Sequence, residues 1–198
     1  MAEATPTAVS PLADRTRPIG GSDHAGIVLA EKTGLSLVNL RGAGEACLTG
    51  VEGTLGVRPP DAPNTVTATE AVSILWLGPD EWLVVAEDGD STGICAKLEK
   101  ALAGVHRAVV DLSDNYAVIA LSGHAATWVL AKGWSQDLHP SVFKAGQCSQ
   151  GMLSHAQIVL EKTGDERFRL YTRPSFAAYL WDWLVDAAFD TGVRIDAG

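Results

Sequence analysis

The stretch "VSILWLGPDEWLVVA", Val72 to Ala86, decides the fold. Two apolar runs rich in β-branched and aromatic residues, "VSILWL" and "WLVVA", are separated only by "GPDE". Pro79 supplies the fixed φ that the second position of a tight turn requires, so the segment predicts a β-hairpin. A second hairpin follows further on, where "AQIVLEK" and "RFRLYT" flank "TGDE". "DEWLVV" from Asp80 aligns with "DERFRL" from Asp165, and "LRGAGEA" from Leu40 aligns with "LSGHAAT" from Leu121 at nearly the same offset. The competing reading is two unrelated hairpins that share the common turn letters D and E. Duplication explains both alignments at once.

Working outward, "LSLVNL" (35–40) reads as a strand and "RGAGEACLTGVEGTLG" as a glycine-interrupted helix, followed by the loop "RPPDAPN". After the first hairpin, Ile94, Leu98, Ala101 and Leu102 recur with the spacing of one buried helical face. The cycle then restarts. "AVVDL" and "YAVIALSG" read as strands, and "HAATWVLAKG" as a short helix stopped by Gly133. The last helix, "PSFAAYLWDWLVDAAF", opens on Pro174, which suits a first helical position. The order strand, helix, hairpin, helix occurs twice, which predicts an α+β fold with helices covering antiparallel sheet. Residues 1–26, carrying Pro6, Pro11, Pro18, Gly20 and Gly21, read as an extended arm. Residues 27–198 form one α+β domain with halves at about 27–105 and 106–198.

The chain has 198 residues and a formal net charge of -9, so its mean field repels a phosphate backbone and nucleic acid is not an expected partner. The N-terminal stretch lacks a basic start followed by an apolar run. The longest apolar run is far short of the roughly 20 residues of a membrane span, so a cytoplasmic protein without membrane association is expected. Cys47, Cys95 and Cys148 are widely spaced, which supports neither a disulfide framework nor a zinc site. They read as small buried fillers.

Two polar clusters invite a catalytic reading. "KGWSQDLHPSVFKAGQC", Lys132 to Cys148, holds serine, histidine and cysteine, but Gly133, Asp137, Leu138 and Pro140 are the residues of a helix stop and a polar turn. Asp111, Ser113 and Asp114 form the other cluster, again between two apolar strands where such residues make turns. His24, His106, His124, His139 and His155 show no metal-binding spacing. "RPIGGSDHAG" lacks the flanking strand and helix of a dinucleotide loop. No catalytic, cofactor-binding or metal-binding residue is therefore assigned. On the last helix, Phe176, Leu180, Trp183, Leu184 and Ala187 make the expected inward face, while Ser175, Asp182 and Asp186 make a wet one. Trp181, Val185 and Phe189 widen the apolar arc beside that acidic strip. They meet either a partner or, for Trp181, the N-terminal arm.

"ILWLGPDEWLVV", "VVDLSDNYAVIALSGHAATWVLAKGWSQDLHPSVFKAGQCSQGMLSHAQIVLEK" and "FRLYTRPSFAAYLWDWLVDAA" together resemble the gamma subunit of heterotetrameric sarcosine oxidase over nearly the whole chain. More distantly, the plan is similar to the folate-binding domain of the aminomethyltransferase of the glycine cleavage system. The resemblance implies a non-catalytic chain that assembles with alpha, beta and delta subunits, in a complex that oxidatively demethylates sarcosine to glycine. It implies FAD, FMN, NAD, tetrahydrofolate and zinc on those other subunits and none of them on this one. Aminomethyltransferases carry an acidic group for folate-linked transfer after the polar turn, whereas "GMLSHAQIVLEK", from Gly151, has Ser154 and His155 there. Trp134 and Phe143 are then core plugs or contact residues, and the candidate partner interface is Trp134, Phe143, Trp181, Val185 and Phe189. The resemblance leaves open the matching subunit of an N-methylglutamate dehydrogenase. A free-standing folate-dependent transferase using Asp111 or Asp114, and a hydrolase on Cys148 with His139 or His155, are the readings from other classes.

Overall fold

The structure, a computed structural model, describes residues 9–16, 25–87 and 89–196. The elements run β1 (Ile27–Glu31), β2 (Ser36–Gly42), α1 (Glu45–Leu55), β3 (Val66–Ala68), β4 (Val72–Gly78), β5 (Glu81–Ala86) and α2 (Ser91–Ala101). The second round is β6 (Arg107–Asp111), β7 (Ala117–Ser122), α3 (Ala126–Ala131), β8 (Gln147–Leu153), β9 (Ala156–Gly164), β10 (Arg167–Thr172), α4 (Pro174–Ala187) and β11 (Val193–Ile195). Both hairpins form where expected. Trp76 lies opposite Trp82 across the Pro79–Asp80 turn, and Phe168 lies opposite Lys162 in the second hairpin.

One sheet has the order β3-β4-β5-β2-β6 and the other β8-β9-β10-β7-β1-β11. The two orders are the same pattern read twice, but the halves interleave. β1 pairs antiparallel with β7 of the second half, and β6 pairs antiparallel with β2 of the first. Each half thus lends its leading strand to the other's sheet. Pairing partners are chosen in space, so the chain can be divided near residue 105 while the sheets cannot.

Strand alternation then builds four layers. Trp82, Val84 and Ala86 of β5 face the core shared with Leu98 of α2 and Val51 of α1. Leu83 and Val85 face the other way and meet Val118, Val159 and Tyr171 between the two sheets. Ile158 and Leu160 of β9 and Phe168 and Leu170 of β10 face a third core, shared with α3 and α4. The order is helices, sheet, sheet, helices. Each fully buried aliphatic side chain in these layers contributes about 1.5–3 kcal/mol of transfer free energy.

Two glycines set the chain path. Gly44, at φ 83, turns the chain between β2 and α1, so Arg41 and Gly42 belong to the strand and not to the helix expected from Arg41 onward. Gly123, at φ 117, passes against the backbone of Gly26 and Ile27, leaving no room for a side chain where β7 meets β1.

Three further expectations are corrected. β1, β3, β8 and β11 have no counterpart in the sequence reading; β1 and β11 pair in parallel across almost the full length of the chain, Ile27 opposite Val193. The arm is not extended where it is described: Arg15 and Thr16 amides return to the Leu12 carbonyl at 2.7 and 3.1 Å, and Leu12 is fully buried. The remainder of the expected arm, residues 1–8 and 17–24, lies outside the described residues, as does His24. Finally, α4 turns Ala177, Leu180, Trp181 and Leu184 inward, with Ala188 just beyond its end, while Phe176 is 42% exposed. These inward residues follow the i, i+3, i+4, i+7, i+11 spacing of one helical face, while the apolar Phe176, Trp183 and Ala187 beside that face allow the neighbouring one to be read as inner. The large indole of Trp181, joined in that core by Leu12 and Ile195, takes the inside.

Candidate functional site

The Lys132–Cys148 stretch folds as a plug over the helix side of the second sheet. Trp134, Leu138 and Phe143 are all buried in the core beneath α3 and α4. The polar residues serve the turn: Asp137 Oδ1 accepts from the His139 amide at 2.8 Å, and the His139 ring meets Ser141 Oγ at 2.7 Å. The Val142 and Phe143 amides both return to the His139 carbonyl. The buried Lys162 ammonium donates to the Phe143 carbonyl at 2.8 Å and lies over the Phe168 ring, tying the plug to β9. Cys148 points away from this turn, its thiol bonded to the Trp76 carbonyl at 3.3 Å. Burial, and then the nearby Glu161 charge, push that thiol up to about 12. A thiol held protonated at neutral pH is no nucleophile.

Asp111 likewise organises backbone. One carboxylate oxygen accepts from the Ser113 amide and hydroxyl at 2.9 and 2.7 Å, and the other accepts from Ser91 Oγ at the start of α2. These bonds, Ser91 first, hold the carboxyl below its ordinary value. Ser113 Oγ in turn accepts from the Leu37 amide, so the cluster pins β2, α2 and the 3-10 turn at Ser113–Asn115 together. His106, His124, His139 and His155 are all exposed, and among the described residues no three histidines, cysteines, aspartates or glutamates gather as a metal site. At the β8–β9 turn, Ser154 Oγ bonds Tyr179 Oη at 2.8 Å and the His155 ring leans on Tyr179, so this turn offers a hydroxyl and an imidazole but no carboxylate.

Between the sheets the structure assembles polar groups that the sequence reading did not single out. Tyr171 Oη donates to Glu161 Oε2 at 2.5 Å, both side chains being buried, and Arg169 donates to Glu87 at 2.6 Å. Burial raises the Glu161 carboxyl against the pull of the Tyr171 hydroxyl, and burial followed by the Glu161 charge raises Tyr171 well above its ordinary value. Odd positions on β9 and β10 face the neighbouring sheet, which is the signal that could have paired them.

The remaining feature is the outer surface of α3 and α4. Of the five residues expected at a partner interface, Trp134, Phe143 and Trp181 are 5%, 7% and 2% exposed, so they act as plugs within this chain. Trp134 lies against Gly151, and its indole N–H has no hydrogen-bond partner among the described residues. Val185 is half-buried, and Phe189 is 92% exposed. Trp128, Phe176 and Tyr179 add further exposed aromatic surface. The arm crosses the same helix, where Arg15 forms a two-bond ion pair with Asp182, both contacts at 2.8 Å.

Comparison with known proteins fits this arrangement. The sarcosine oxidase, gamma subunit family matches residues 40–190. The chain is 36% identical to sarcosine oxidase subunit gamma from Arthrobacter sp over 171 residues, 84% of this chain and 82% of the relative. It superposes with a TM-score of 0.83 and 30% identity on a chain of the heterotetrameric sarcosine oxidase from Corynebacterium sp. U-96 in complex with pyrrole 2-carboxylate, covering 93% of this chain and 96% of that one. The glycine cleavage system aminomethyltransferase T from Bartonella henselae shares the fold, with a TM-score of 0.62 at 18% identity. This chain, 88% of which is matched, spans 48% of that enzyme.

Proposed function

The chain belongs to the sarcosine oxidase gamma subunit family, and from that premise we propose that it is the non-catalytic assembling subunit of an oxidase of four different chains. It is part of an enzyme as a subunit. The complex oxidatively demethylates sarcosine to glycine in the cytoplasm, with FAD, FMN, NAD, tetrahydrofolate and zinc carried by its alpha, beta and delta partners. The observation that carries the reading is the near full-length superposition on a chain of a heterotetrameric oxidase, with 93% and 96% of the two chains matched. The chain's own chemistry supports the assembling role. The serine, histidine, cysteine and aspartate clusters are engaged in turns and strand ties, and the Cys148 thiol is held at about 12. No helix among the described residues is long and apolar enough to cross a membrane.

Native mass spectrometry of the tagged protein, recovered from its own host without overexpression of other chains, tests the proposal. The expected result is one assembly containing this chain, a large flavin-bearing chain and two others. Recovery of the chain alone, with measurable tetrahydrofolate binding, would instead support a free-standing transferase.

A further inference from the structure

We propose that the C-terminal end of α4 is the docking surface for a basic, apolar-tipped segment of another chain of the same oxidase; this rests on the subunit reading above. The surface is an apolar concavity with an acidic rim. Val185 and Phe189 supply its accessible apolar surface over the buried Trp181 and Ile195, and Asp14, Asp182 and Asp186 stand around it. Phe189, just past the last turn of the helix, is 92% exposed. Trp128 of α3 is 60% exposed on the other side of Asp190, which its indole N–H contacts at 3.4 Å. Two large apolar side chains, one on α3 and one just past α4, therefore stand in water, where a solvent-facing helical layer normally places charge. Aromatic residues of this kind anchor interfaces when a partner desolvates them.

The rim defines the partner's charge. Among the described residues the cations beside it are already paired, Arg15 with Asp182, Lys132 with Asp190 and Arg194 with Asp196. Asp186 enters no ion pair among the described residues, and Asp14 adds its charge beside Arg15. The surface therefore remains acidic around an apolar centre. A second copy of this chain docking symmetrically would place carboxylates opposite carboxylates, which costs affinity. An anionic lipid surface is repelled for the same reason. The complementary occupant is a protein segment that presents an aliphatic or aromatic side chain between lysines or arginines.

The test is coexpression of this chain with the other chains of its oxidase, followed by native mass spectrometry over a dilution series at several salt concentrations. Phe189→Asp should weaken incorporation of this chain by roughly tenfold or more, as truncation of a central aromatic anchor does. Asp186→Lys should weaken it too and flatten its dependence on salt, because attraction to a basic partner is screened as ionic strength rises. The thermal midpoint of isolated Phe189→Asp should match wild type, since its side chain is exposed. Wild-type incorporation together with unchanged incorporation of Phe189→Asp would overturn the docking surface and leave the subunit reading standing. Failure of the wild type to incorporate at all would overturn both. An effect of Phe189→Asp with none from Asp186→Lys would overturn the basic partner. A wild-type chain that dimerises alone and becomes monomeric as Phe189→Asp would assign the surface to a second copy and overturn the proposal.

Discussion

The two outer helical layers are built on one plan and finished differently. Over the first sheet, α1 and α2 carry ion pairs on their outer side: Arg58 bonds both carboxylate oxygens of Glu45, at 3.1 and 2.8 Å, and Arg107 pairs with Glu99. Over the second sheet, α3 exposes Trp128 and α4 exposes Phe176 and Tyr179, with Phe189 exposed just past its end. Since the repeated fold is satisfied by a charged exterior in one half, the aromatic exterior of the other half is not something the fold requires. That contrast locates the part of the molecule whose surface answers to something outside it.

The comparison breaks first in the cores beneath the two layers. Trp181→Ala should cost about 3–5 kcal/mol, and Leu98→Ala beneath the first layer about 2–5 kcal/mol, both measured by urea denaturation. Because the halves exchange their leading strands, both variants should shift a single transition. Two transitions, with only one moving in each variant, would show that the halves are separately cored. Leu12→Ala comes next, at about 2–3 kcal/mol, the low end for a buried leucine because the arm can settle into the space it leaves. A negligible effect would show that the arm merely rests on α4.

Between the sheets, Tyr171→Phe leaves the buried Glu161 carboxyl without its hydroxyl partner and should cost about 1–3 kcal/mol. Glu161→Gln tests the same pair through pH. Burial raises the folded carboxyl above its unfolded value, so the native state holds a proton that the unfolded chain releases. Stability from this group therefore falls as pH rises from the unfolded value toward the folded one. Glu161→Gln should unfold later than wild type at neutral pH, with the gap closing below the ordinary value of 4.5. A gap independent of pH would show that the carboxyl is not shifted. The smallest effect belongs to Asp182→Asn, which removes the exposed pair with Arg15. Arg15 holds Asp182 below its ordinary value of 3.8, so the pair stabilises above that pH and is lost as pH falls through the folded value. The difference from wild type should vanish at about 1 M salt, where the Debye length is roughly 3 Å.

Much of the second hairpin, the helix at Ser91–Ala101 and the structural role of the Lys132–Cys148 turn was legible, because each rests on residues close together in sequence. β1 and β11 were not, since they pair Ile27 with Val193 from opposite ends of the chain and β11 has only three residues. The Glu161–Tyr171 pair was hidden differently. Its members lie on two strands whose faces are assigned only once the second sheet is known to lie against the first.

By itself the sequence determined the repeated order of elements, the tight turns at Pro79–Asp80 and within "TGDE", and the family, because these depend on local backbone preferences and on the identity of neighbouring residues. Only the tertiary structure decided which strands the halves exchange, that Trp134, Phe143 and Trp181 are inside, and that Phe189 is outside. α4 carries apolar residues on the flanks of its buried stripe, so its hydrophobic pattern alone fits two neighbouring inner faces. What selects one is the shape of the sheet beneath it and the arm that brings Leu12 into the same core.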